Sequence, residues 1–357
     1  MIVVLEPGAD AGVVREIGAV ARRAGLRTVP DDPVRPRRLA LVGAAPDAGG
    51  VLAAQLEGRA EVQAVIRDAG SAPLTSRQFR PEPTAVTVGA LSIGGGGPPV
   101  LAAGPCAVES PEQLLAVANA AARAGATLLR GGAFKPRTSP YAFQGLGPEA
   151  LRLLAEARRE TGLPVVTEVL APEQVELVAE VADMLQIGAR NMQNYALLAA
   201  TGSAGRPVLL KRASGATLEE WLLAAEHLLA SGAPGVVLCE RGLRHFDPHT
   251  RNILDLAGAL AVRELSHLPV IIDPSHATGR RDLVIPLTLA GLAAGLDGAI
   301  VEVHPNPDAA LSDGPQSLDL EGLASLAEGI GRIGVRLASL DAPAAPASAQ
   351  QGWTRAG

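Results

Sequence analysis

The sequence predicts a (β/α)8 barrel preceded by a small ferredoxin-like α+β domain. Three observations carry this reading. From Val100 onward, eight short apolar runs alternate with amphipathic stretches over roughly 240 residues, the size and rhythm of such barrels. Each of those runs hands over to a polar or ionisable side chain at the same end, the end where barrels place their chemistry. Before them, the first 66 residues follow the order βαββαβ, which is that of a ferredoxin-like sandwich.

In chain order, Ile2–Leu5 reads as a strand and Ala9–Ala24 as a helix ended by Gly25. Leu26–Val29 and Leu39–Val42 read as strands, Gly49–Leu56 as a helix and Val62–Ile66 as a last strand. This 1–66 unit carries no catalytic constellation, so it is a structural or regulatory module. Residues 67–84 are rich in Pro, Ser and Arg and read as a linker, and 85–93 as a hairpin, so that 67–99 joins the two units. Gly94–Gly97 opens no helix, which makes it a turn rather than a phosphate cradle. The barrel strands are expected at Val100–Ala103, Thr127–Leu129, Pro164–Glu168, Asp183–Ile187, Val208–Lys211, Gly235–Cys239, Pro269–Asp273 and Gly298–Val303. Helical patterns occupy Pro111–Ala124, Pro148–Thr161, Pro172–Val181, Leu218–Ala230, Asn252–Glu264, Asp282–Ala294 and Leu320–Ala338. A doubly wound open sheet is the rival arrangement, but no dinucleotide fingerprint follows the first strand. The barrel segment is taken as 100–340, and the Ala/Pro/Ser/Gln-rich tail 341–357 as disordered.

Composition excludes several classes. With 48% hydrophobic and 19% charged residues, the 357-residue chain can bury a large core. A net charge of −6 leaves no footprint for nucleic acid or an anionic membrane. The two cysteines, Cys106 and Cys239, form no disulfide framework, and MIVVLEPGAD lacks the basic start of a signal peptide. A cytoplasmic protein is expected.

Against that acidic background, Arg130–Gly147 packs Arg130, Lys135 and Arg137 into eight residues with no helical or strand period. Lys135 and Lys211 are the only lysines among the 31 basic residues, so lysine is kept where a compact ammonium has a use. Two subsets at the strand ends have distinct chemistry. Cys106, His276, Glu302 and Asp313 supply a thiol, an imidazole and two carboxylates from the neighbouring strands 1, 7 and 8. Such a mixed set accepts a divalent ion, with Mn, Fe, Co, Zn or Cu all tolerable. Taken singly, each has a plain structural role, but Glu302 inside the apolar run AIVEV needs a cation partner. Arg130, Lys135, Arg137, Arg190, Lys211 and Arg241 outnumber the carboxylates expected to pair with them (Glu168, Glu240 and Asp273). The excess suits a small substrate with more than one anionic group.

The sequence resembles the 3-deoxy-D-arabino-heptulosonate-7-phosphate (DAHP) synthases, in their shorter bacterial form with a ferredoxin-like extension. The motifs that carry the resemblance are AGPCAVES (103–110), LRGGAFKPRTSPYAFQGLG (129–147), QIGARNMQN (186–194), LCERG (238–242), IIDPSHATGRRDLVIP (271–286) and VEVHPNPDAALSDGPQSL (301–318). The resemblance implies a transferase of the shikimate pathway that condenses phosphoenolpyruvate with erythrose 4-phosphate and releases phosphate. It implies Cys106, His276, Glu302 and Asp313 as ligands of one divalent ion, Mn2+ first, with Co2+, Fe2+ or Zn2+ as substitutes. It further implies Arg130, Lys135, Glu168, Arg190, Lys211 and Arg241 around phosphoenolpyruvate. Lys135, Pro136, Arg137 and Thr138 would meet erythrose 4-phosphate, and Lys135 would donate the proton, with Cys106 and His276 also at the chemistry. A homodimer or homotetramer is expected, with an aromatic amino acid as a candidate effector of the extension. Two positions depart from the family pattern: Ala213 stands where glycine is usual, and Ala142 where serine is common. The runner-up is 3-deoxy-octulosonate-8-phosphate synthase acting on arabinose 5-phosphate, against which KPRTSPY speaks. A pyruvate-dependent metal aldolase and a catalytically dead amino-acid-binding barrel are further alternatives.

Overall fold

The structure is a computed structural model that describes residues 1–43, 49–137 and 139–337. Thr138, the end of the expected barrel segment at 338–340 and the expected tail at 341–357 lie outside the described residues.

The first unit consists of β1 (Ile2–Leu5), α1 (Ala11–Arg23), β2 (Arg27–Pro30), β3 (Arg38–Val42), α2 (Gly49–Glu57) and β4 (Val62–Ile66). Its sheet order is β2-β3-β1-β4, with every pair antiparallel, as in a ferredoxin-like sandwich. The Asp10 carboxylate starts α1 by accepting from the Gly12 and Val13 amides. Apolar residues on one face of the helices (Ile17, Ala21, Leu52, Leu56) cover Val3, Leu5, Leu39 and Leu41 of the sheet. On the opposite face, Ile2 and Ala40 meet Leu74 and Phe79, which come from the stretch read as a linker. That stretch is therefore packed rather than loose. It is stitched to the barrel by Arg77 N–H to the Leu265 carbonyl (3.1 Å) and Thr84 N–H to the His267 carbonyl (2.8 Å).

The hairpin β5 (Ala85–Val88) and β6 (Leu91–Gly94) follows. Its Val86, Val88 and Ile93 join Val100, Leu128, Met184 and Ile300 in the barrel interior. Because Val100, Leu128 and Met184 open their strands, the hairpin plugs the N-terminal end. Chemistry is left to the opposite mouth.

The barrel runs through β7 (Val100–Gly104), α3 (Pro111–Arg123), β8 (Leu128–Arg130), α4 (Pro148–Thr161), β9 (Val165–Val169), α5 (Val175–Val181), β10 (Met184–Ile187) and α6 (Tyr195–Gly202). It continues through β11 (Val208–Lys211), α7 (Leu218–Ala230), β12 (Val236–Glu240), α8 (Leu256–Leu265), β13 (Val270–Ile272), α9 (Pro274–Thr278), α10 (Arg281–Ala293), β14 (Gly298–Glu302) and α11 (Leu320–Leu337). All eight strands pair in parallel, and β14 closes on β7 with Glu302 opposite Gly104. A Cβ on Gly104 would sit 1.8 Å from the Arg130 carbonyl oxygen, so only glycine lets β7 and β8 approach there. Among the helices that depart from expectation, two show why. The run YALLAATG of α6 is apolar around most of its circumference and carries no amphipathic period. The α8 helix starts at Leu256 rather than Asn252, because the Asp255 carboxylate caps it through the Gly258 amide.

Candidate active site

The C-terminal mouth holds a cleft of about 720 Å³. Lys135, Arg137, Arg190, Lys211 and Arg241 line it, together with Pro136, Glu168, His276 and Asp313. Arg244, Arg251, Asn252 and Ser214 line it as well. None of these four was singled out in the sequence as a site residue: Ser214, Arg244 and Arg251 come from loops without a period, and Asn252 was read as the start of a helix.

At the base of the mouth, ligand-type atoms of Cys106, Glu302 and Asp313 lie within 4.8 Å of one another. The Cys106 S–H donates to Asp313 Oδ2 at 3.2 Å. His276 stands at the edge of this cluster, with Nε2 3.4 Å from Glu302 Oε1. Its other ring nitrogen, Nδ1, bonds Asp273 Oδ2 at 2.8 Å, and its amide donates to Asp273 Oδ1 at 2.9 Å. The imidazole is thus oriented through one nitrogen by a carboxylate, with the other nitrogen beside the Glu302 carboxylate, an orientation that suits a metal ligand with a supporting carboxylate. The N/S/O donor set fits a divalent transition ion. Asp313 has φ +53°, the one positive φ outside glycine among the described residues. Such strain is held where the surroundings dictate a side chain's direction.

Charge is balanced tightly. Burial alone would push the Glu302 carboxyl up, but His276, Arg130 and Lys135 hold it down at about 2. Burial pushes the Cys106 thiol up to about 12, helped by the Glu302 charge, so the sulfur keeps its proton. Lys135 is buried yet held above the ordinary lysine value: desolvation is outweighed by Cys106 and Glu302. Its Nζ donates to the Cys106 carbonyl at 3.1 Å.

The cations divide into two groups. Arg130 stands apart from the residues that line the cleft: its Nη1 donates to Glu302 Oε1 (2.8 Å) and the Pro105 carbonyl (2.9 Å), which answers the need for a cation beside Glu302. Its Nε finds no partner among the described residues. Lys211, whose isolation in a buried strand would be costly, donates from Nζ to Asp273 Oδ2 at 2.5 Å. Arg212 is structural, bridging Glu240 (3.2 Å) and Asp255 (2.9 Å) below the mouth. Arg137 and Arg190 donate to Ser312 Oγ (2.6 Å) and the Pro136 carbonyl (3.1 Å) respectively, and Arg241 donates to the His276 carbonyl (3.1 Å) and, with the Asn252 amide turned so that its oxygen accepts, to Asn252 Oδ1 (3.1 Å). Glu168 is buried at the cleft wall and accepts from Gln186 Nε2 at 3.3 Å. Its Oε1 lies only 1.9 Å from where a Cβ on Gly188 would be.

Sequence reasoning named Asp273 only as one of several partners for the cations, whereas it joins Lys211 to His276. Gln316, which donates from Nε2 to Glu302 Oε2, and Ser312 were missed. Their only sequence signal is position, either side of the Asp313-Gly314 turn.

The sequence model of the DAHP synthetase I family matches residues 75–337. A phospho-2-dehydro-3-deoxyheptonate aldolase from Thermotoga maritima is 46% identical over 321 residues, covering 90% of this chain and 94% of its own. The crystal structure of the T. maritima phospho-2-dehydro-3-deoxyheptonate aldolase (DAHP synthase) superposes with a TM-score of 0.72 at 44% identity, over 93% of this chain and 96% of that one. A 2-dehydro-3-deoxyphosphooctonate aldolase from Syntrophotalea carbinolica is 36% identical over 259 residues, covering 67% of this chain and 92% of its own. On the strength of the matched 75–337 segment and near full-length similarity to the T. maritima enzyme, the chain belongs to the DAHP synthetase I family.

Proposed function

We infer that the protein condenses phosphoenolpyruvate with erythrose 4-phosphate to give DAHP and inorganic phosphate. The observation that carries the reading is the convergence, at one mouth, of a thiol–dicarboxylate cluster with a cleft lined by Lys135, Arg137, Arg190, Lys211 and Arg241. Both substrates carry phosphate, one adds a carboxylate and the other an aldehyde.

Cys106, His276, Glu302 and Asp313 would hold a divalent ion, Mn2+ by preference. When bound, that ion supplies Lewis acidity toward an aldehyde oxygen. The remaining work falls to the protein. Lys211, Arg190 and Arg241 bind and orient phosphoenolpyruvate, with Arg130 behind them. Arg137, with Pro136 and Thr138, receives the phosphate of erythrose 4-phosphate, so that C3 of phosphoenolpyruvate faces the aldehyde carbon. Lys135, kept protonated by its anionic surroundings, gives its proton to the alkoxide oxygen formed as the C–C bond closes. Water then adds at C2, with Glu168 as its polar neighbour on the wall, and the hemiketal expels phosphate by C–O cleavage. The fixed cations stabilise that charge as it develops.

The test is phosphate release from the two substrates by chelator-stripped protein, before and after Mn2+ is restored. Turnover that returns with metal and is lost in Cys106→Ala supports the reading. Turnover with arabinose 5-phosphate in place of erythrose 4-phosphate would move the assignment to the octulosonate enzymes. No turnover with either aldose would refute both. We also read residues 1–66 as a regulatory unit, the assembly as a homodimer or homotetramer and the location as cytoplasmic. Among the described residues no helix is long and apolar enough to cross a membrane. Unchanged rate on adding Tyr or Phe to the full chain would dismiss the regulatory role, and a monomer in sedimentation would dismiss the assembly.

A further inference from the structure

Ser312 is buried between two parts of the site that the proposed function treats separately. Its Oγ accepts from Arg137 Nη1 at 2.6 Å and lies 3.2 Å from Cys106 Sγ. A guanidinium only donates, so the Ser312 oxygen accepts from Arg137. Either partner can donate in the Ser312–Cys106 contact, and it runs from hydroxyl to sulfur when the Cys106 proton is given to Asp313. The Asp313 carboxylate accepts, so the Cys106 proton points to Oδ2 at 3.2 Å. A directed chain therefore runs from guanidinium to hydroxyl to sulfur to carboxylate, linking the phosphate side of the cleft to the metal side. The loop is braced from behind by the Glu109 carboxylate, which accepts from the Leu311 amide at 2.9 Å. Arg137, which gives one donor to Ser312, also lines the cleft.

We propose that Ser312 is a positioning residue that couples a phosphate group on Arg137 to a divalent ion at Cys106, so that each tightens the other. The inference rests on the reading given under Proposed function. A phosphate on the free edge of Arg137 fixes the guanidinium and, through it, the Ser312 rotor with its hydrogen on the sulfur. That contact holds the sulfur in place within 4.8 Å of the Glu302 and Asp313 carboxylates, where a cation would sit. Linkage makes the effect reciprocal, and couplings of this kind are about fivefold or more in affinity.

The experiment measures Co2+ binding to the metal-free full chain by competition with a chelating dye, with and without saturating glycerol 3-phosphate, using glycerol as the control. That probe carries a phosphate and no aldehyde. In the wild type, glycerol 3-phosphate is expected to tighten Co2+ binding by about fivefold; in Ser312→Ala the tightening disappears while Co2+ still binds. The KM for erythrose 4-phosphate is expected to rise in Ser312→Ala with the KM for phosphoenolpyruvate unchanged, and the change should vanish in an Arg137→Gln background. Equal tightening in wild type and Ser312→Ala, or none in wild type, overturns the coupling while wild-type turnover keeps the reaction. Absence of wild-type turnover with either aldose overturns the reading beneath it.

Discussion

Asp273 offers the sharpest test of how the site is held together. Its carboxylate is buried and accepts from Lys211 Nζ at 2.5 Å, His276 Nδ1 at 2.8 Å and the His276 amide at 2.9 Å. Burial would push it up, but His276 and Lys211 hold it well below the usual carboxylate range. Asp273→Asn keeps the shape and removes the charge, which strands the Lys211 ammonium in a buried strand. Breaking a buried pair from one side costs about 3–5 kcal/mol. With an unfolding entropy of about 2.1 cal/mol/K per residue, this corresponds to a fall of roughly 4–7 °C in Tm for a chain of this length. Lys211→Met should cost less, because Asp273 keeps His276, and the double variant should recover part of the loss. Loss of the group that orients His276 should also weaken metal binding by about 10–100-fold. Scanning calorimetry of the metal-free variants and Co2+ titration check the two effects. A double variant whose loss equals the sum of the singles, with metal affinity unchanged, would refute the claim that Asp273 is the shared anchor.

Three further predictions follow from local geometry. Gly188→Ala drives a methyl into Glu168 Oε1, the end of a side chain that can swing away, so kcat should fall with little loss of Tm. Gly104→Ala meets the Arg130 backbone, which cannot yield, so expression or Tm should suffer first; the reverse pattern would discredit both readings. Glu226, on α7, accepts from the Leu74 and Thr75 amides at 3.1 Å each, and burial pushes it up to about 7. A folded value above the unfolded one means the protonated form favours the fold, so that stabilisation fades as pH rises from about 4.5 to 7. Glu226→Gln should therefore flatten the fall in Tm over that window, while lying below wild type at pH 5 because its NH2 cannot accept from one of the two amides. Two groups make the metal-free protein acid-labile. Burial lowers His267 to about 4, so the unfolded chain takes up its proton first and stability falls between about 6.5 and 4. Glu302, held at about 2, loses its contribution as pH falls from about 4.5 to 2. His267→Gln should flatten the first window in a Tm-against-pH series and leave the second.

The barrel was legible because a parallel strand buried on both faces writes itself as an apolar run such as VVLC or GAIV, and a polar residue ending each run has few reasons to be there. The same logic exposed Glu302 and Lys211, whose cost in an apolar setting demands a partner, while Lys135 stood out by the scarcity of lysine. It could not say which partner. Lys211 and Asp273 are 62 positions apart, and Arg130 and Glu302 are 172 apart. The β11-β12-β13 order brings the first pair together, and barrel closure, which sets β14 beside β7 and β7 beside β8, brings the second. Arg130 shows the consequence: in the sequence it is one more cation for an anionic ligand, and in the fold it is spent on Glu302. Ser312 and Arg251 were invisible for a different reason. They lie in loops, where a hydroxyl or guanidinium near a turn is ordinary surface chemistry. Ser312 matters only because the Leu311–Glu109 bond and the left-handed Asp313 aim it inward at Cys106 and Arg137. The helix α6 escaped because periodicity detects a boundary between wet and dry faces, and YALLAATG offers little such boundary. The apolar cost of each strand thus names the residues that must be paired, while closure of the barrel and the aim of its loops decide which pairs are structural and which cations remain for substrate.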